Sequence, residues 1–130
     1  MAAAENAAIV RRIFDAFARQ EGLALRGLFA EDAVWSVPGR GVMAGVYEGR
    51  EAIFRFLAKL PKETGGTYSS ELVDVLASDE RAAALYRARG TRHGRTLELE
   101  QVLLFRIDGG LVRRVLALPS DPDAFEAFWA

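Results

Sequence analysis

TLELEQVLLFRIDGGLVRRVLAL, residues 96–118, decides the fold. Its first half alternates: Leu97, Leu99, Gln101, Leu103 and Phe105 fall on one side, and Glu98, Glu100, Val102, Leu104 and Arg106 on the other. A period of two is the signature of a β-strand with one buried face, so Thr96–Ile107 reads as a long strand. Asp108-Gly109-Gly110 is a turn, and Leu111–Leu118 is the returning strand. Working toward the N-terminus, Ala82–Thr91 is a strand turned by His93-Gly94, and Thr67–Leu76 another, turned by Ser78-Asp79-Glu80. Turn signals at such even spacing predict a four-stranded antiparallel meander.

Upstream of residue 61 the period changes to that of a helix. Ile9, Val10, Ile13, Phe14 and Phe17 share one face of a helix over Glu5–Arg19. Leu25, Leu28 and Phe29 predict a shorter second helix, weakened by Gly22 and Gly27 and ended by Glu31-Asp32. Ala33–Val37 is β-rich and stops at Pro38-Gly39; Gly39–Gly49 reads as an irregular loop. Ile53, Phe54, Leu57 and Leu60 predict a third helix terminated by Pro61. At the other end, Asp121-Pro122 caps a last helix carrying Phe125, Phe128 and Trp129. The expected architecture is one α+β domain over residues 1–130: three N-terminal helices on a strongly curved antiparallel sheet, with a short C-terminal helix. Residues 1–4 are expected to be disordered.

Composition narrows the chemistry. A chain of 130 residues, 51% of them hydrophobic, can bury roughly two thirds of its unfolded surface without staples. There is no Cys, which removes disulfides, thiolate nucleophiles and cysteine-held zinc. One His, His93, leaves no imidazole cluster for a metal, and it falls in a tight turn away from any interior. Seventeen basic against eighteen acidic residues give no general attraction to nucleic acid. No stretch has the length of a membrane span and the Ala-rich start lacks the pattern of a signal peptide, so a cytoplasmic location is expected. GxGxxG, GxxxxGK[ST] and GxSxG are all absent.

The order of elements, with the words Leu28–Trp35 (LFAEDAVW), Pro38-Gly39, Gly45–Ile53 (GVYEGREAI) and Phe105–Gly110 (FRIDGG), resembles the SnoaL-like branch of the nuclear transport factor 2-like superfamily. The resemblance covers Glu5 to Trp129. It implies a cone-shaped, cystatin-like roll whose helices close a deep apolar pocket, and a homodimer formed through the outer sheet face. The same fold serves isomerases, cyclases, epoxide hydrolases and non-catalytic modules, so it does not choose among them.

The resemblance also permits a test of chemistry. The isomerase pattern needs a carboxylate base and two acidic donors around a developing oxyanion. The base position corresponds to Val37, the Tyr donor to Ile13 or Phe14, and the Asp donor to Leu103. Hydrocarbon cannot move a proton. The epoxide-hydrolase arrangement of Arg between two Asp is not found in the strands either. The resemblance assigns Phe14, Phe17, Trp35, Val37, Met43, Tyr47, Phe54, Tyr86, Leu99, Gln101, Leu103 and Phe105 to the pocket lining, with no metal and no cofactor.

Among these, Gln101 is the polar member of an apolar row, and a buried amide must find partners: a ligand, or a neighbouring strand. Tyr86 stands between Ala84 and Ala88, so it projects either into the pocket or onto the sheet surface. Met43 and Tyr47 sit in a glycine-rich segment suited to a lid or a plain connector. Arg87, Arg89, Arg92 and Arg95 gather at one hairpin, where Glu98 and Glu100 are placed to neutralise them. One of Arg113 and Arg114 could approach the pocket. The expected function is binding of a small apolar molecule. The alternatives are an enzyme with non-standard pocket residues and a dimeric interaction module.

Overall fold

The computed structural model describes residues 2–130. Helix α1 spans Ala2–Ala18 and buries Ile9, Val10, Ile13 and Ala16 along one stripe. Ala2–Ala4 continue this helix rather than lying outside it, as the high helix propensity of alanine favours; Met1 lies outside the described residues. Asn6, on the same buried face, donates through Nδ2 to the carbonyls of Ser78 and Asp79, both at 3.0 Å. That contact ties the helix to a turn of the sheet 72 residues away.

The second helix is shorter than its pattern suggested. Helix α2 covers only Gly22–Arg26, and Phe29 opens strand β1 (Phe29–Val37). Leu25, Leu28 and Phe29 mimic helical spacing because the strand starts with an irregularity: its pairing with the last strand shifts register between Phe29 and Val34. The shift hides the period of two. Glu31 and Asp32, expected to end a helix, are exposed residues of β1. The glycine-rich segment holds a strand as well, β2 (Gly45–Glu48), paired antiparallel with β1 so that Trp35 opposes Tyr47.

Helix α3 (Arg50–Glu63) therefore follows a β-hairpin rather than an irregular loop, and it runs through Pro61 instead of stopping before it. In the last turn a proline forfeits a single backbone bond. The helix then ends at Thr64, whose Oγ1 donates to the Leu60 carbonyl at 2.8 Å.

The meander follows: β3 (Ser69–Ala77), β4 (Arg81–Arg92), β5 (Arg95–Asp108) and β6 (Leu111–Pro119). The six-stranded sheet has the order β2-β1-β6-β5-β4-β3, antiparallel throughout except where β1 lies parallel to β6. Register shifts interrupt β1–β6, β3–β4 and β5–β6, and such bulges curl a sheet. Helix α4 (Pro122–Trp129) closes the chain, with the Asp121 carboxylate accepting the Ala124 N–H at 3.1 Å. The concave side of the sheet and the helices enclose one core, with Phe29, Ile53, Phe105 and Val112 completely buried. Among the described residues, no helix is long and apolar enough to cross a membrane.

Candidate functional site

A cavity of about 70 Å³ lies between the inner sheet face and the helices. It exceeds the ~10–15 Å³ a single water needs, and is about half the ~150 Å³ of an engineered apolar cavity that takes up benzene. Helix α1 contributes Ile13, Phe14 and Phe17; β1 contributes Trp35 and Val37; α3 contributes Phe56, Leu57 and Leu60. Gln101 and Leu103 come from β5, Tyr86 from β4, Ser70 from β3 and Ala117 from β6. Tyr68, Met43, Leu25, Phe125 and Trp129 complete the wall. Among the described residues none that lines it is charged.

The sheet builds this wall by alternation. On β4 and β5 the inward residues Ala84, Tyr86, Gln101 and Leu103 are buried, while their neighbours Arg87 and Glu100 face out. The small Ala117, which lines the cavity, leaves room that a larger side chain would fill.

Phe14, Phe17, Trp35, Val37, Met43, Tyr86, Gln101 and Leu103 thus meet at the cavity. Four other residues expected there do not line it. Phe105 is wholly buried in the core, and Leu99 is half-buried near the far end of β5. Phe54 turns to Phe29, ring centroids 6.0 Å apart, with Arg26 over its face. Tyr47 packs on Phe56 at 4.5 Å and donates its hydroxyl to the Met43 carbonyl at 2.7 Å, so its polar end is used within its own loop. Burial raises the Tyr47 phenol above its ordinary pKa.

Ile13, Phe14, Val37 and Leu103 all face the cavity. The side chains at the positions to which the resemblance would assign acid–base groups are therefore hydrocarbon, and they line the cavity. Polarity enters from elsewhere. Gln101 Nε2 donates to Tyr86 Oη at 2.6 Å, and Ser70 Oγ donates to Tyr68 Oη at 3.1 Å. Phe14 meets the Tyr86 ring edge-on at 5.2 Å, and Phe17 meets Tyr68 at 6.3 Å. Burial drives the Tyr86 phenol well above its ordinary range; nearby Tyr68 adds to this and the Gln101 hydrogen bond partly opposes it. Tyr68 is raised by burial too, less the effect of Ser70. Both stay protonated at neutral pH, so they are hydrogen-bond donors and not bases. The indole of Trp35 is buried as well, and its Nε1 finds no hydrogen-bond partner among the described residues.

Tyr68 and Ser70 fall in the strand expected over Thr67–Leu76 but are not among the residues assigned to the pocket; β3 starts only at Ser69, so Tyr68 stands in the turn before it. It is placed by α3: its N–H donates to Thr64 Oγ1 at 3.1 Å, across a turn whose Gly65 and Gly66 both have positive φ. Period two through Tyr68, Ser70 and Leu72 was the available signal. Phe125 and Trp129 were legible only as one face of a helix, and nothing local placed that helix at the cavity.

The remaining polar residues lie elsewhere. His93 is exposed at the β4–β5 turn. Arg87 and Arg89 pair with Glu71, Glu98 and Glu100 on the outer face. Arg92 is buried, reaching Glu63 at 3.4 Å and the Ala130 carbonyl at 2.7 Å. Neither Arg113 nor Arg114 lines the cavity; Arg113 lies 3.8 Å from Asp32 and Arg114 is exposed. Among the described residues no three His, Cys, Asp or Glu side chains are grouped to hold a metal.

The segment that could have been a lid is fastened. Val42 N–H donates to the Trp129 carbonyl at 2.8 Å, Lys59 Nζ to the Val42 carbonyl at 3.0 Å, and Arg40 N–H to Glu126. Met43 is almost fully buried.

Comparison with known proteins agrees with this architecture. The family model for the SnoaL-like domain matches residues 10–115. An uncharacterised protein of Mycobacterium tuberculosis (strain H37Rv) is 37% identical over 123 residues, covering 94% of each chain. The structure of Bal32a, from a soil-derived mobile gene cassette, superposes with a TM-score of 0.96 at 36% identity over the whole of both chains. A nuclear transport factor 2-like protein of Burkholderia xenovorans gives 0.84 at 25% identity, covering 98% of each. The chain belongs to the SnoaL-like family of the nuclear transport factor 2-like superfamily.

Proposed function

We propose that this protein binds a small, largely apolar molecule in the cavity between sheet and helices, without the acid–base residues of the isomerases. The observation that carries the reading is the lining itself: a hydrocarbon and aromatic wall interrupted by a few neutral polar groups, which is what small-molecule sites are made of. Proton abstraction needs a base, and no carboxylate or imidazole is among the lining side chains. Thermal unfolding against a panel of hydrocarbons, alcohols and ketones graded in size from a few carbon atoms up to one ring tests it. A ligand at a hundredfold excess over its Kd stabilises by about 2.7 kcal/mol. Ala117→Leu, which fills the space, should abolish the shift while the protein stays folded. The absence of any shift across the panel would defeat the proposal.

One observation supports a second reading. Tyr86 is a buried, neutral phenol held by an amide, and such a donor can polarise a carbonyl oxygen. In an enzyme of that kind Tyr86→Phe would lower kcat more than it raises KM; equal effects on both would remove this reading.

We also propose that the protein is a homodimer through the outer sheet face. Leu104 opposes Leu116 there, and Val102 lies between Leu85 and Leu118, giving an apolar patch unlike a solvated sheet surface. Leu116 and Leu118 are each about two-fifths exposed.

A further inference from the structure

Any molecule that enters the cavity has to pass one of its walls. The sheet is held by its ladder bonds, and α1 by the Asn6 amide on the turn after β3. Helix α4 has its Asp121 cap, and the Arg92 and Arg95 guanidiniums donate to the Ala130 and Ala127 carbonyls at 2.7 and 3.0 Å. Residues 40–42 are bonded to α3 and α4. Helix α2 is different. Leu25 lines the cavity and is 6% exposed, whereas Leu23, on the opposite side of the same helix, is 88% exposed. At this point a single helical turn separates the cavity from solvent.

Little holds that turn. A helix of five residues is too short to be stable by itself, and Glu21 at its N-cap makes no side-chain capping bond. The chain enters through Gln20 at φ 57°, a left-handed conformation unfavourable for a residue with a Cβ, and Gly22 and Gly27 stand at the two ends. The backbone bonds stay local: Glu21 N–H to Ala16, Leu25 N–H to Glu21 and Gly27 N–H to Leu23. The next anchor to the sheet is the Leu28 carbonyl, which accepts the Val112 N–H at 2.9 Å. Among the described residues, the polar side-chain tether of α2 is Arg26, which pairs with Glu51 and lies 5.8 Å from the Phe54 ring centroid, both on α3. The pair is solvent-exposed, and exposed ion pairs contribute little. Resting on the binding reading above, we infer that α2 is the door of the cavity, hinged at Gln20–Gly22 and at Gly27 and latched to α3 by Arg26 and Glu51. Its opening takes Leu25 off the wall and leaves the sheet, α1 and α3 in place, as a lid drawn from the least stable part of a fold does.

Amide hydrogen exchange reads the door without any ligand. Protection of the Leu25 and Gly27 N–H groups should be roughly tenfold or more below that of Ile13 on α1 and Leu57 on α3. Glu51→Gln removes the charge of the latch and should lower protection in α2 alone by a further factor of about two to five. Salt at about 1 M should do the same to the wild-type protein and leave the variant unchanged. Gly22→Ala, whose new Cβ would meet nothing within 4 Å, stiffens a hinge and should raise protection there by a similar factor. Xenon, a single apolar atom that enters apolar cavities, then serves as the probe of passage. Its exchange rate between cavity and solvent, read by xenon magnetic resonance, should rise in Glu51→Gln and fall in Gly22→Ala. Equal protection of α2, α1 and α3 overturns the door and leaves the binding reading intact. Loss of protection in every element of Glu51→Gln alike, or a xenon exchange rate that neither variant moves, overturns it as well. Xenon absent from the cavity brings down the binding reading and the door together.

Discussion

Gln101 Nε2 lies 2.6 Å from Tyr86 Oη because the two residues are direct cross-strand partners on β5 and β4. The sheet register, not a loop, sets this hydrogen bond. It places a buried neutral polar pair on the cavity wall. Removing one partner leaves the other buried and unpaired, whereas removing both leaves only a change of shape. Tyr86→Phe is therefore expected to destabilise by about 1–3 kcal/mol in urea unfolding. Adding Gln101→Leu should return part of that loss, with a coupling energy of about 0.5–3 kcal/mol. Strictly additive effects would mean that the pair is not a unit.

Alkaline pH should unfold the protein through its tyrosines. All three, Tyr47, Tyr68 and Tyr86, are raised above the ordinary phenol value by burial, Tyr86 most of all. Above about pH 10 the unfolded chain releases phenolic protons that the folded one retains. Stability is then fully present below pH 10 and falls as pH rises toward the folded-state values. The slope is about 1.4 kcal/mol per pH unit for each phenol held neutral. Tyrosinate absorbance should appear together with loss of the helical circular dichroism signal. A phenolate titrating in the folded protein near pH 10 would contradict the buried environment of Tyr86.

Two glycine-to-alanine changes should act in opposite directions. A Cβ on Gly41 would stand 2.6 Å from the Trp129 carbonyl oxygen, where the fastened segment crosses the end of α4. Gly41→Ala is expected to cost about 1–3 kcal/mol and to weaken the cavity wall formed by Met43 and Trp129. At Gly27 φ is −67° and the nearest atoms are 3.7 Å away, so Gly27→Ala should gain about 0.4–1 kcal/mol. Melting temperatures of the two variants moving in the same direction would refute the contrast.

Association through the outer sheet face should depend on its leucines. Leu116→Glu puts a charge into the apolar patch opposite Leu104. Light scattering at micromolar concentration is expected to show a dimer for the wild-type chain and a monomer for the variant. A wild-type monomer would dispose of the proposed interface.

On the same face Arg81, Arg106 and Arg114 form one cross-strand row, all exposed, and none has an acidic partner among the described residues. Like charges directly opposed on a sheet repel. Arg106→Glu should therefore stabilise the fold by about 0.2–1 kcal/mol for each new pair, with the gain shrinking at high salt.

The meander was legible in the residues because each strand carries its own two-residue period and each turn its own Gly or Asp signal. Thr96–Ile107 reads as β5 to within a residue at each end. The same reading failed where local signals conflicted with long-range pairing. Phe29 belongs to β1 because β6 pairs with it, although its neighbours Leu25 and Leu28 suggest a helix. Gly45–Glu48 is a strand because β1 offers it an edge, in spite of the glycines around it.

Alternation along β4 and β5 was enough to select Gln101, Leu103 and Tyr86 as residues of one face, since a strand has only two. It could not say that Tyr86 and Gln101 would bond each other, that Tyr68 would join them from the end of α3, or that Trp35 would keep an unpaired N–H. Those facts depend on how four helices lie over the concave sheet, and so on contacts between residues dozens of positions apart. Residue type alone removed thiols and imidazole clusters as themes. Which polar groups face the remaining apolar space is a matter of packing, because only in the folded chain does a donor lose water and need a new acceptor.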